Sequence, residues 1–236
     1  MCTVTLIKNS SKNDDFILTS NRDEAAGRST LYPQIYSEES VKLMYPKDVE
    51  AGGTWIGVSS RNRIICLLNG EFKIHKRQEN YRLSRGVVVK DLLKAEDLEE
   101  AIKNYNLKDI EPFTIIAGDW NDSLKFTELV WDGKTKHIRN IENDVEIWSS
   151  SPLYSNEMKR ERVQWFKDYK SENDLNAQSL WKFHHTAGNG DTNTNFIMDR
   201  GFVKTKSITQ IIKTSEKIRM IYEDLEEDQM LAKEFN

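Results

Sequence analysis

The chain has 236 residues, a net charge of −4 and a pI near 5.7, with 31% charged and 38% hydrophobic residues. That suffices for one large domain or two small ones and leaves no global basic excess for nucleic acid or an anionic membrane. The apolar runs are a few residues long, so no membrane span is expected, and two cysteines, Cys2 and Cys66, make neither a disulfide framework nor a cysteine-based zinc site.

The start lacks a basic region followed by an apolar stretch. A secretory signal is therefore not expected, and a reducing cytoplasm is the simplest home. Cys2 to Ile7 and Phe16 to Glu24 are apolar and β-branched, and the residues between them are Asn, Ser, Lys and Asp. This is a hairpin pattern. A turn near Ser11 and Lys12 pairs residues whose numbers sum to about 23, give or take two. Cys2 then falls beside Asn21, Arg22 or Asp23. With a small second residue, Met1 is expected to be removed, leaving Cys2 with a free α-amine that can act as base for its own thiol. A cation such as Arg22 favours the thiolate. A lone Cys on a first strand reads as a small buried hydrophobe. The Asn-Arg-Asp-Glu cluster across the hairpin turns the balance toward chemistry. Asp23, at a strand end, is expected to lie outside the core.

Ala25 to Pro46, with Gly27, Pro33 and Pro46, reads as a long irregular loop carrying Arg28 and Tyr32. Ala51 to Val58 and Arg63 to Gly70 form a second hairpin that returns Asn69 beside Gly52 and Gly53. Ile64 to Leu68 is apolar without alternation, so Cys66 is expected to be packing. Asn69 is a candidate oxyanion donor, although Asn69-Gly70 also reads as a turn dipeptide. Phe72 to Arg82 is basic. A solvated face is the default there, and contact with an anionic substrate tail is the sharper option.

Ser84 caps a helix with Val87, Val88, Leu92 and Leu93 on its apolar side, and a second helix spans Ala95 to Tyr105. Pro112 to Ala117 is a buried strand, followed by a hairpin of Leu124 to Trp131 and Thr135 to Ile141. Val145 to Trp148 leads into Ser149-Ser150-Ser151. Helices are expected over Ser155 to Tyr169, with Met158, Val163 and Phe166 inward, and over Asp174 to Phe183. His184 and His185 are neighbours and share no face, so a structural role is favoured over a metal or haem site. Asn195 to Met198, Phe202 to Ile212 and Lys217 to Tyr222 read as strands, and the acidic tail is expected to fray. No Gly-rich phosphate cradle is present.

Met1-Cys2-Thr3 with Thr19-Ser20-Asn21-Arg22-Asp23-Glu24 resembles the NRDE family, which includes relatives of transport and Golgi organisation protein 2. The Gly-Gly-Thr-Trp-x-Gly run at Gly52 to Gly57, Ser84-Arg85-Gly86, and the stretch Lys204 to Gln210 are similar to further blocks of that family. More distantly, the start is similar to N-terminal-nucleophile hydrolases with a Cys nucleophile, such as choloylglycine hydrolases and penicillin V acylases. Those have Met-Cys-Thr and then a strand ending Arg-Asn-x-Asp. Asn21 and Asp23 match it, Ser20 stands where that motif has Arg, and Arg22 takes the x position. The acylases have an oxyanion Asn at a strand end, and Asn69 is the matching position. Another Asn lines their oxyanion site near Ser150 and Ser151, which would substitute through a hydroxyl or backbone N–H.

The order of strands, helices, strands, helices and strands argues α+β. The resemblance, covering essentially residues 1–236 as one domain, implies the four-layer αββα sandwich of N-terminal-nucleophile hydrolases. It implies an amidase or acylase acting on a non-peptide C–N bond, with Cys2, Asp23 and Asn69 catalytic. Asn21, Arg22, Glu24, Arg28, Trp55, Ser150 and Ser151 would be binding residues, and no metal or cofactor is needed. The partner would be a small-molecule substrate rather than nucleic acid, with room for a homo-oligomer. The resemblance also implies an alternative, a non-catalytic haem or lipid-acyl carrier, in which Cys2 or a His would be a haem ligand.

Overall fold

The computed structural model of the protein describes residues 2–9, 15–151, 153–215 and 217–235, with Cys2 and Asn9 described by backbone alone. Contacts group the chain into two units, Met1–Arg28 with Asn143–Asn236, and Ser29–Glu142.

Strands β1 (Cys2–Asn9) and β2 (Asp15–Ala25) pair antiparallel from Cys2↔Arg22 to Asn9↔Asp15. Partner numbers sum to 24 (2 with 22, 9 with 15), inside the expected range. Val4, Leu6 and Leu18 are fully buried on one face. A one-residue slip would turn them to the other face, which is why the register is fixed. The turn expected near Ser11 and Lys12 lies outside the described residues.

The loop expected over Ala25 to Pro46 is instead a hairpin, β3 (Thr30–Glu38) and β4 (Val41–Asp48). Glu39 and Ser40 take φ of 49° and 67°, the left-handed pair that a tight two-residue hairpin turn demands. Pro33 obscured the pattern. It sits on the edge strand of its sheet, and the register shifts between Leu31 and Gln34 around it. Strands β5 (Ile56–Ser59) and β6 (Arg63–Asn69) follow as expected, with Ile56 opposite Cys66.

Helices α1 (Arg85–Lys94) and α2 (Leu98–Asn104) come next, and the Ser84 side chain accepts from the Gly86 N–H. Strands β7 (Phe113–Asp119), β8 (Lys125–Trp131) and β9 (Lys136–Asn140) complete a seven-stranded sheet in the order β3-β4-β5-β6-β7-β8-β9. A Cβ on Gly53 would lie 2.7 Å from the Gly86 carbonyl carbon. Only glycine allows the start of α1 to approach the connection between β4 and β5 so closely. Two sequence blocks thirty residues apart thus meet by backbone contact.

The other unit adds β10 (Val145–Ser149), α3 (Asn156–Glu172), α4 (Ala177–Thr186), β11 (Val203–Thr214), β12 (Lys217–Asp224) and β13 (Gln229–Phe235). Its sheet runs β10-β1-β2-β11-β12-β13. Phe166, Leu180, Phe183 and Phe196 pack over Ile7, Ile17, Val145 and Ile147, so α3 and α4 cover one face.

Three expectations are corrected here. The tail does not fray: β13 pairs with β12 along its length. Asn195 to Met198 is not a strand, although Phe196 N–H bonds the Ala187 carbonyl. Val163 faces out, and the inward stripe of α3 is Met158, Arg162 and Phe166, one helical turn apart.

Candidate active site

Alternation along β2 sends Thr19, Asn21 and Asp23 to the helix-covered face and Leu18, Ser20 and Arg22 to the other. Asp23 is fully buried, not at a solvated strand end as expected. Thr205 Oγ1 donates to its Oδ1 at 2.6 Å, and the Tyr154 hydroxyl donates to its Oδ2. Burial pushes the Asp23 carboxyl above the ordinary range, while Arg162 and the two hydroxyl donors pull against that.

Arg162 comes from the middle of the apolar stripe of α3 and is itself fully buried. Its guanidinium donates to Thr3 Oγ1, to the Thr194 carbonyl at 2.8 Å and to the Asn195 carbonyl at 2.6 Å. It stacks 3.9 Å from the Tyr154 ring centroid and 4.7 Å from that of Phe196. One cation therefore ties β1, α3, the loop before β11 and the Asp23 cluster together. Sequence reasoning missed Arg162, Tyr154 and Thr205. The available signal for Arg162 was an arginine spaced four residues from both Met158 and Phe166.

Asn21 is equally engaged. Its amide donates to the His184 carbonyl at 3.1 Å and the Phe196 carbonyl at 2.9 Å. With the nitrogen so used, Asn21 Oδ1 accepts from His184 Nδ1 at 2.5 Å, and His184 Nε2 then accepts from the Thr5 hydroxyl at 2.8 Å. Burial first, then the charges of His185 and Arg162, hold the His184 imidazole down at about 3. Between that value and the ordinary 6.5, the unfolded chain binds a proton that the folded chain refuses. Stability should therefore fall as pH drops, by about 1.4 kcal/mol per unit from this group. Urea denaturation between about pH 6 and pH 4.5 measures it, and His184→Gln should lower the slope by one proton. Equal slopes in both proteins would refute the assignment.

The other face carries a different pattern. Cys2, Arg22 and Ser207 stand in one row across β1, β2 and β11. Val4, Ser20 and Thr209 form the next row, and beyond it lie Leu6, Leu18 and Ile211. The face changes from apolar to hydroxyl to charged toward position 2. The side chain of Cys2 lies outside the described residues. A β-bulge at Lys206 creates this arrangement. It lets Thr205 reach Asp23 on one face and Ser207 stand opposite Arg22 on the other, which strict alternation would forbid.

The hydroxyls of Ser20, Ser207 and Thr209 are buried without a partner among the described residues, and so is that of Ser150. The β1–β10 ladder ends at Thr3↔Ser149, so Ser150 continues toward position 2. Such groups are rare in native interiors and collect where polar chemistry occurs. Arg22 is 3% exposed and lies 3.9 Å from Glu24. Burial raises the Glu24 carboxyl, but the Ala25 N–H, Arg22 and Arg28 outweigh it and hold the group below its ordinary value. Arg28 is half-buried in the turn after β2. Ser151 accepts from Lys159 Nζ at 2.6 Å.

The unit containing position 2 thus holds Asn21, Arg22, Asp23, Glu24, Arg28, Ser150 and Ser151. Trp55 and Asn69 belong to the other unit. Trp55 is nearly buried beside the Gly53–Gly86 contact, and Asn69 ends β6 opposite Phe113. Gly70 follows at φ 82°, which terminates the strand.

The profile of the Transport and Golgi organisation 2 family matches residues 1–231. The chain belongs to that family. Among curated proteins, none matches it. Among solved structures, penicillin V acylase from Agrobacterium tumefaciens is similar with a TM-score of 0.60 and 12% identity, over 98% of this chain and 85% of that one. A variant of conjugated bile acid hydrolase from Clostridium perfringens gives 0.61 and 9%, over 100% and 93%. The Caenorhabditis elegans ortholog of N-acylethanolamine-hydrolyzing acid amidase gives 0.59 and 10%, over 89% and 92%. At these identities the likeness is one of fold. The α+β fold of N-terminal-nucleophile hydrolases expected from the sequence is the fold of this family member.

Proposed function

We propose that the protein is an amidase or acylase cleaving a non-peptide C–N amide bond with Cys2 as its N-terminal nucleophile. The observation that carries this is the row Cys2–Arg22–Ser207. Cys2 pairs directly with Arg22, whose side chain is buried. That cation favours the thiolate. If the register continued one step further, the backbone nitrogen of Cys2, the α-amine once Met1 is gone, would face Asp23.

In the proposed reaction the α-amine takes the thiol proton as sulfur attacks the carbonyl carbon and the C–S bond forms. A backbone N–H and Ser150 would hold the oxyanion. Collapse breaks the C–N bond, and the proton passes from the α-amine to the leaving amine. Water then hydrolyses the thioester and regenerates the thiol. Asp23, clamped by Tyr154 and Thr205, would orient the amine, with Asn21 fixing the strand beside it. Glu24, Arg28 and Ser151 would complete the polar lining. These steps use side chains and water alone, and a cytoplasmic location suits a free thiol.

The family's description, transport and Golgi organisation, favours a second reading, a carrier of an acyl chain or haem. Imidazole ligation of haem has little support. His184 Nε2 is held by Thr5, His185 Nε2 by Glu223, His137 Nε2 by Asp132, and His75 Nε2 lies 3.5 Å from Glu111. Intact-mass measurement on protein from the native host, with a panel of N-acyl amino acids, bile-salt conjugates and acyl-CoA, separates the readings. An amidase should lack Met1 and turn over at least one substrate in a Cys2-dependent way. Full retention of Met1, or stoichiometric binding without turnover, would reject it in favour of the carrier.

A further inference from the structure

In the unit Ser29–Glu142 the antiparallel ladders place the end of β4, the start of β5, the end of β6 and the starts of β7 and β9 at one end of the sheet. Among the described residues, the exposed large hydrophobic residues at this end are Leu31 and Val49 on the β3–β4 side and, apart from them, Phe72 and Ile74 just past β6. Phe72 and Ile74 are 55% and 69% exposed. Scattered apolar residues on a surface need no explanation, but two large exposed ones within three positions of each other, Phe72 and Ile74, do.

The Phe72–Ile74 segment has no regular structure, yet it is pinned in place. Glu111 holds Arg85 at 3.2 Å, His75 at 3.5 Å and Arg77 at 3.9 Å, and Phe72 meets the His137 ring edge-on at 5.1 Å. Exposed cations alternate with the apolar side chains: Lys73, Lys76 and Arg77. Nearby carboxylates are partly spent. Glu111 sits beneath Arg77, Arg85 and His75, and Glu71 accepts the Lys73 N–H at 3.0 Å.

We infer that this end of the sheet docks on an anionic lipid surface, with Phe72 and Ile74 entering the acyl boundary and Lys73, Lys76 and Arg77 meeting headgroup phosphates. Interleaved apolar and cationic side chains on one short segment match the layered chemistry of a bilayer, apolar below and anionic above. A protein partner would favour an apolar centre with a separate charged rim. A chain with net charge −4 needs such a local feature to approach an anionic surface at all. The inference is independent of any reaction at Cys2.

Vesicle co-sedimentation of the full chain tests it, with phosphatidylcholine vesicles prepared with and without phosphatidylserine. The wild type should pellet with the anionic vesicles and release at high salt. Phe72→Ser with Ile74→Ser should weaken binding by roughly tenfold, from the lost apolar insertion. Lys73→Glu with Lys76→Glu should abolish the preference for phosphatidylserine. Both pairs are exposed, so an unchanged melting temperature checks that folding is intact. The inference is overturned if the wild type pellets no more than a vesicle-free control, or if the Phe72/Ile74 variant binds like wild type. It is equally overturned if sedimentation equilibrium shows a dimer that this variant loses, since the patch would then seat a second copy.

Discussion

Cys2→Ala should abolish covalent labelling by iodoacetamide at neutral pH, and Cys66→Ala should leave labelling unchanged. The two cysteines of the chain stand in opposed surroundings. Cys66 is fully buried in β6, opposite Ile56 on one side and Ile116 on the other. An apolar wall keeps a thiol protonated and inert. Position 2 stands opposite the buried Arg22, in the part of the sheet where Ser20, Ser207 and Thr209 have hydroxyls without a partner among the described residues, and under the proposed function a thiolate would be favoured there. Loss of the nucleophile should cut turnover by on the order of 10³-fold or more. Cys2→Ser keeps a weaker nucleophile and should leave slow residual turnover. The measurement is a labelling rate compared with free cysteine. A wild-type rate no faster than free cysteine, with no Cys2-dependent turnover on the panel above, would end the amidase reading.

Arg162→Met should lower stability by about 3–5 kcal/mol, because it removes one side of a buried, hydrogen-bonded charge cluster. Two carbonyls, at Thr194 and Asn195, and the Thr3 hydroxyl would lose their donor, and Asp23 would lose its compensating charge. Methionine fills much of the volume, so the loss reports the polar network more than a cavity. Arg162→Lys keeps the charge but not the planar fork, and it should recover only part of the loss. Urea denaturation gives the numbers. A change below about 1 kcal/mol would mean that the guanidinium does not hold these elements together. Asp23→Asn, which seemed safe for a solvated strand end, should now cost stability too, since both oxygens accept hydroxyl protons.

How much of this was legible follows the range of the interactions. The first hairpin was readable because period-two patterning and a polar break are local, and they fix Cys2 opposite Arg22. The hairpin of β3 and β4 was hidden by Pro33 and Pro46, which signal loops unless the strand is an edge or bulged. The Asp23 cluster was not legible. Tyr154, Arg162 and Thr205 lie more than 130 residues from Asp23 in sequence, and nothing local marks them as its partners. The bulge at Lys206 was equally invisible, because a single extra residue in one strand leaves no compositional trace. The family blocks carried more than their residues could alone. Gly53 and Gly86 come from separate blocks, and their contact explains why both are glycine.

The order in which the sheet strands leave the ribosome has its own consequence. The unit Ser29–Glu142 is continuous in sequence, so all its pairings are available once it has been made. The unit that holds position 2 is not. β1 lies between β2 and β10, and β2 needs β11, which begins at Val203. At about 5–20 residues per second, β1 waits several seconds or longer without its outer neighbours while the rest is synthesised. Under the proposed function, Met1 would be removed during that wait. Once β10 docks, β1 is paired along both edges. The late arrival of β10 would then set the time available for that removal.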